Sequence, residues 1–67
     1  MRANLRSCRE KVGLTLEGVA KKVGVSRSAV GHWETGEKTP SYKNIEKLIE
    51  LFGAQDIRWL LEETKEG

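Results

Sequence analysis

The chain carries one cysteine, one proline and one histidine in 67 residues. A lone Cys8 can close no disulfide within the chain and can found no cysteine-based metal site; its scarcity fits a reducing compartment. No apolar run approaches the roughly 20 residues of a membrane-spanning helix. The opening "MRANLRSCRE" lacks the apolar core of a secretory signal. A soluble, cytoplasmic chain with no membrane association is expected. No stretch alternates apolar and polar residues over strand length, so no sheet is expected. No nucleophile–base pair, metal-ligand cluster or phosphate-cradling glycine loop is visible. The expectation is therefore a non-enzyme with no cofactor, no metal and no small-molecule ligand.

What is present is charge, unevenly divided. Residues 1–33 hold seven Lys/Arg and two acids, a balance of +5; residues 34–67 hold five Lys/Arg and eight acids, a balance of −3. A basic half suits a polyanion and leaves the acidic half for something else, although a mixed solvated surface reads the same way. The length allows one domain, 1–67, with a core that is marginal for a chain of this size.

Apolar residues recur at helical spacing almost throughout. Leu5, Cys8 and Val12 mark a first helix with Cys8 inside, ended by Gly13. Thr15 caps a second, over about 16–23, whose inner face is Leu16, Val19, Ala20 and Val23. Gly24 stops it. Ser26 caps a third, over about 27–35, with Ala29, Val30 and Trp33 inward, and Gly36 stops that one. Pro40 disfavours helix at Thr39. Ser41 caps a fourth with Ile45, Leu48, Ile49 and Phe52 inward, ended by Gly53. A fifth, "QDIRWLLEE", is capped by Asp56 with Ile57, Leu60 and Leu61 as its stripe. The polar end, 62–67, reads as a frayed tail or the start of a linker. The fold class is all-α, with five short helices.

The second and third helices are joined by so short a turn that they must cross steeply. A small residue is needed where the axes meet, and Ala20 stands there; Gly24 sits in the turn, where a positive φ is cheap only for glycine. Counting Leu16 as one, alanine falls fifth, glycine ninth, valine fifteenth and tryptophan eighteenth. That is a helix-turn-helix register.

The segment "GLTLEGVAKKVGVSRSAVGHWETGEKTPSYKNIEKLIELFG", residues 13–53, resembles the lambda-repressor/Cro type of helix-turn-helix, the XRE family, of phage or bacterial type. "LRSCRE" and "IRWLL" resemble its first and fifth helices. The resemblance implies a compact five-helix domain that binds operator DNA, usually as a homodimer, with the third helix in the major groove. It also implies that Arg27, Ser28, Gly31 and His32 face bases. Arg27 could grip the O6 and N7 of guanine, a contact worth roughly 1–3 kcal/mol of discrimination; otherwise it is a solvated charge. Ser28 donates or accepts and specifies little alone. His32 could donate to guanine or meet a phosphate, and no carboxylate is evident to orient its ring. Gly31 either lets a base or thymine methyl come close or is a tolerated weak residue. Thr15, Ser26, Thr35, Lys38 and Lys43 would lie along phosphates, which position the domain without reading sequence. Lys21 and Lys22 would add longer-range attraction. Arg9 and Glu34 match positions that form a structural ion pair in relatives, tying the first helix to the third.

The chain departs from the family in two places. Relatives often read "LTQEELA" where this chain has "LTLEGVA". Leu16 removes a phosphate-contacting glutamine and is expected to be buried, and Gly18 removes the capping-box glutamate. The fifth helix is one residue longer before its tryptophan, which unsettles the dimer surface expected at Ile57, Arg58 and Trp59. The function expected is a sequence-specific regulator of transcription, a repressor binding a roughly palindromic operator. It would be either a complete short regulator or the N-terminal part of a longer one. The alternative is a protein-interaction module that keeps the fold without specific DNA binding.

Overall fold

Hydroxyl caps and left-handed glycines cut the chain into helices. The computed structural model describes residues 2–53 and 57–62, without the side chains of Ile57 and Trp59. The elements are α1 (Ala3–Lys11), α2 (Leu16–Val23), α3 (Arg27–Thr35), α4 (Tyr42–Phe52) and a single turn, α5 (Ile57–Leu60). There is no strand among the described residues, and the domain is all-α. The expected cap Asp56 and residues 63–67 of the expected tail lie outside the described residues, while Glu62 is exposed.

Three helices start the same way. Thr15 Oγ1 accepts from the Gly18 N–H at 3.0 Å, Ser26 Oγ from Ala29 at 3.2 Å and Ser41 Oγ from Asn44 at 3.4 Å. Each satisfies one donor that the helix itself leaves without a partner. At Gly18 a Cβ would come within 3.3 Å of Leu14 Cδ2 and 3.4 Å of Thr15 Oγ1. A side chain at Gly18 would therefore need Leu14 to give by a few tenths of an ångström, and of the capping box only the Thr15 half is present.

The turn between α2 and α3 closes through Gly24, at φ 87°. The Ala20 carbonyl accepts from Gly24 N–H at 2.8 Å and from Val25 N–H at 3.0 Å, so the helix ends in a left-handed glycine motif. Lys47 of α4 reaches back and donates to the Val23 carbonyl at 3.1 Å. The cation sits at the negative end of α2 and pins α4 beside the turn.

The core draws on every helix: Leu5 of α1, Val19, Ala20 and Val23 of α2, Val30 and Trp33 of α3, Leu48 of α4 and Leu60 of α5. Ile45 is buried too, whereas Ala29, Ile49, Phe52 and Leu61 are half-buried. Three expectations are corrected. Val12 is exposed, because α1 stops at Lys11 and Val12 is its C-cap. Cys8 is half-buried against the core rather than inside it, and the desolvation it does undergo pushes its thiol pKa up. Leu16 is half-buried as well, at the first position of α2, packed against the core rather than within it.

Candidate nucleic-acid interface

The core contacts of α3 turn its other face outward. Val30 and Trp33 point in and are buried, while Arg27 and Ser28 are exposed and Gly31 and His32 half-buried. Together with Leu16 of α2, these four line a concavity of about 330 Å³. Arg27 is exposed and makes no hydrogen bond or ion pair with the described residues. It stands at the first position of α3, just after the Ser26 cap.

Gly31 has no conformational reason to be glycine. Its φ is not positive, and a Cβ built on it meets nothing within 4 Å. Glycine inside a helix costs about 1 kcal/mol relative to alanine. Gly31→Ala should therefore raise stability by about 0.5–1 kcal/mol, a rise in Tm of several degrees for a domain this small. Thermal unfolding checks this; a fall in Tm would mean that the site is closed to a methyl group.

Thr35 lines the same concavity. Thr15, Ser26, Thr35, Lys38 and Lys43 are all exposed. The hydroxyls of Thr15 and Ser26 are already engaged as caps, and Thr35 Oγ1 donates to the His32 carbonyl at 3.2 Å. Lys38 and Lys43 lie in the loop after α3 and at the start of α4. Tyr42, next to Lys43, is 81% exposed and is a surface aromatic that the sequence reading did not single out.

Behind this face lies a buried ionic frame. Arg9 Nε donates to Glu34 Oε2 at 2.6 Å and Nη2 to Glu34 Oε1 at 3.2 Å, while Nη1 donates to the Leu14 carbonyl at 3.0 Å. Side-chain exposure is only 14% for Arg9 and 8% for Glu34. Donating to the Glu34 carboxylate holds the Arg9 pKa above its ordinary value. A raised pKa of this kind contributes stability that is lost only as pH climbs through the arginine range.

Sequence reasoning missed Arg2 altogether. Its backbone N–H donates to the Glu34 carbonyl at 2.7 Å. Its Nη1 donates to the Trp33 and Lys38 carbonyls at 2.8 and 2.7 Å, and its Nη2 to Thr39 Oγ1 at 2.8 Å. Arg2 is 5% exposed. Two of the seven cations of the basic half thus serve the interior, and the other five, Arg6, Lys11, Lys21, Lys22 and Arg27, are exposed. Lys21 approaches Glu17 only to 3.9 Å, both well exposed.

A carboxylate stands beside the His32 ring, where none was evident from the sequence. The His32 Nδ1 lies 3.0 Å from Glu37 Oε2, across the turn made by Gly36. Of the expected dimer surface, Arg58 is exposed on α5, and the side chains of Ile57 and Trp59 lie outside the described residues. Among the described residues no group of three or more His, Cys, Asp or Glu could hold a metal ion, and no helix is long and apolar enough to cross a membrane.

A short α2, a glycine turn and an α3 that offers uncommitted polar side chains define the helix-turn-helix class of domain. The helix-turn-helix family HTH_3, of XRE/Cro/CI type, matches residues 5–60. The chain belongs to this family, a non-enzymatic family of DNA-binding transcription regulators. An "Uncharacterized HTH-type transcriptional regulator" of Archaeoglobus fulgidus is 40% identical over 55 residues, covering 82% of this chain and 79% of that protein. Proteins of Saccharolobus solfataricus and Saccharolobus islandicus, each called "Putative HTH-type transcriptional regulatory protein", are 41% identical over 58 residues. That match covers 82% of this chain, which spans 19% of their length. These relatives are archaeal, which corrects the expectation of a phage or bacterial type. No solved structure gives a significant match.

Proposed function

We propose that the chain is a sequence-specific regulator of transcription that acts in the cytoplasm as a repressor. It binds double-stranded DNA at a roughly palindromic operator as a homodimer. In this reading α5 completes a five-helix domain of lambda-repressor type, and Ile57, Arg58 and Trp59 contribute to the dimer surface. The third helix enters the major groove and reads bases with Arg27, Ser28, Gly31 and His32. Thr15, Ser26, Thr35, Lys38 and Lys43 follow the phosphates.

One observation carries this reading. Arg27 stands exposed at the start of α3, without a partner among the described residues, and lines one concavity with the other three readers. Five fixed donors with no partner among the described residues suit the paired acceptors of guanine. Arg27→Ala should weaken binding to a preferred duplex by about 1–3 kcal/mol, roughly 5- to 150-fold, and leave non-specific binding nearly unchanged. Equilibrium titration of preferred and scrambled duplexes checks it. An equal loss on both duplexes would make Arg27 a phosphate contact. No loss on either would favour the protein-interaction module.

A further inference from the structure

We propose that Leu16 is a specificity-determining residue: beside the open flank of Gly31 it takes the C5-methyl group of a pyrimidine, on thymine or on 5-methylcytosine. This rests on the DNA-reading role of α3 proposed above and adds to it a reader from α2 and the chemical group which that reader recognises.

Leu16 stands at the first position of α2 and is only half-buried. It packs against the core and also lines the concavity shared by Arg27, Ser28, Gly31 and His32. Among the described residues around that concavity it carries the only wholly apolar side chain. Arg27, Ser28 and His32 there present hydrogen-bonding groups. An aliphatic group pressed against a polar edge strips that edge of water and offers no hydrogen bond in return. It is favourable in such a place only against another apolar group.

The major groove carries one such group, the C5-methyl of thymine, among the donors and acceptors of the base edges. The base 5-methylcytosine bears the same methyl at the same place on the pyrimidine ring. The partner that fits Leu16 is therefore that methyl, whichever of the two pyrimidines carries it. Arg27, on the same concavity, keeps guanine as its partner, so the two readers take different base pairs.

Gly31 supplies the room. A Cβ built there meets nothing within 4 Å, and its φ is not positive. Glycine inside a helix lowers stability, and neither the packing nor the backbone of this helix requires it here. Its effect is on the outer surface, which it leaves one side chain lower in the wall that Leu16 also lines. A pyrimidine edge can then come close enough for its methyl to meet the leucine.

The test uses the duplex that wild type selects from a randomised pool. Each thymine in it is replaced in turn by deoxyuridine, which pairs alike and lacks only the methyl. Equilibrium titration should find a thymine in each half-site whose replacement weakens binding about four-fold, the worth of one buried methyl group, while the others change it by less than about two-fold. At that position 5-methylcytosine should bind about four-fold better than cytosine. With Leu16→Ala and Leu16→Gln both ratios should fall to about one while the other base preferences stand. Leu16→Met, which keeps an apolar group of like volume, should retain most of the thymine-over-uracil ratio. Circular dichroism checks that each variant is folded; if the glutamine variant is not, the alanine variant carries the comparison. No thymine sensitive to loss of its methyl, or a ratio that Leu16→Ala leaves unchanged, overturns the inference while the DNA-reading role stands. A thymine ratio without a matching 5-methylcytosine ratio overturns it too, since the methyl would then not be the group recognised. If wild type enriches nothing, the DNA-reading role falls and takes this inference with it.

Discussion

Glu34→Ala should cost the domain about 3–5 kcal/mol, the loss expected when one partner of a buried pair is removed. Arg9 would keep its charge with two of its donors stripped of their carboxylate, inside a site that shields it from water. A 67-residue domain has a total stability of only a few to about 10 kcal/mol. The variant should be partly or wholly unfolded at room temperature. Arg9→Ala should behave alike, since it leaves the Glu34 carboxylate buried and also frees the Leu14 carbonyl. The double change Arg9→Met with Glu34→Leu should recover most of the loss, because no charge is left stranded. Denaturant titration followed by circular dichroism checks all three. A loss under about 1 kcal/mol in the single variants would class the pair with exposed ones.

Arg2→Ala should be the next most damaging change, at about 2–4 kcal/mol. Hydrogen bonds from a charged donor are each worth about 1.5–3 kcal/mol, and part of that returns as water reaches the loop. Arg2 gathers the Trp33 carbonyl near the end of α3, the Lys38 carbonyl and the Thr39 hydroxyl onto one guanidinium. It therefore clamps the C-terminal end of α3 to the loop that carries Lys38. Arg2→Lys should not rescue, because an ammonium is a point charge without the planar fork that serves several acceptors at once. Beyond a lower Tm, the Lys38 amide, which donates to the His32 carbonyl at 3.3 Å, should exchange with solvent faster. Unchanged exchange and an unchanged Tm would make Arg2 a passenger.

The two ion-bearing arginines differ in how visible they are from the sequence. Arg9 and Glu34 stand out only through the family register. Arg2 counts in the sequence as one more cation of a basic half, and nothing local marks it as buried. Its partners lie 31 to 37 residues away and are mostly backbone carbonyls, which carry no residue identity. Helix limits were far more legible. Thr15, Ser26 and Ser41 act on donors three residues on, and Gly24 acts on its own φ, so both signals are local. The spans expected for the two helices of the motif, 16–23 and 27–35, coincide with α2 and α3. Periodicity erred at helix ends: it placed Val12 on the inner stripe of a helix that stops before it, and Leu16, the first residue of α2, inside. The His32–Glu37 contact was hidden because five residues separate the two and only the Gly36 turn brings them together. The one hint was an acid alone in the run 35–40.

The central claim is that α3 reads duplex DNA, and enrichment of bound duplexes by the wild-type chain from a random pool, at about 50 and about 200 mM salt, tests it most directly. The account predicts that one roughly palindromic sequence emerges at both salts, with guanine at positions that depend on Arg27 and an affinity that falls steeply between the two. No enrichment, with weak binding that ignores salt, would contradict it and turn the uncommitted face of α3 toward a protein partner.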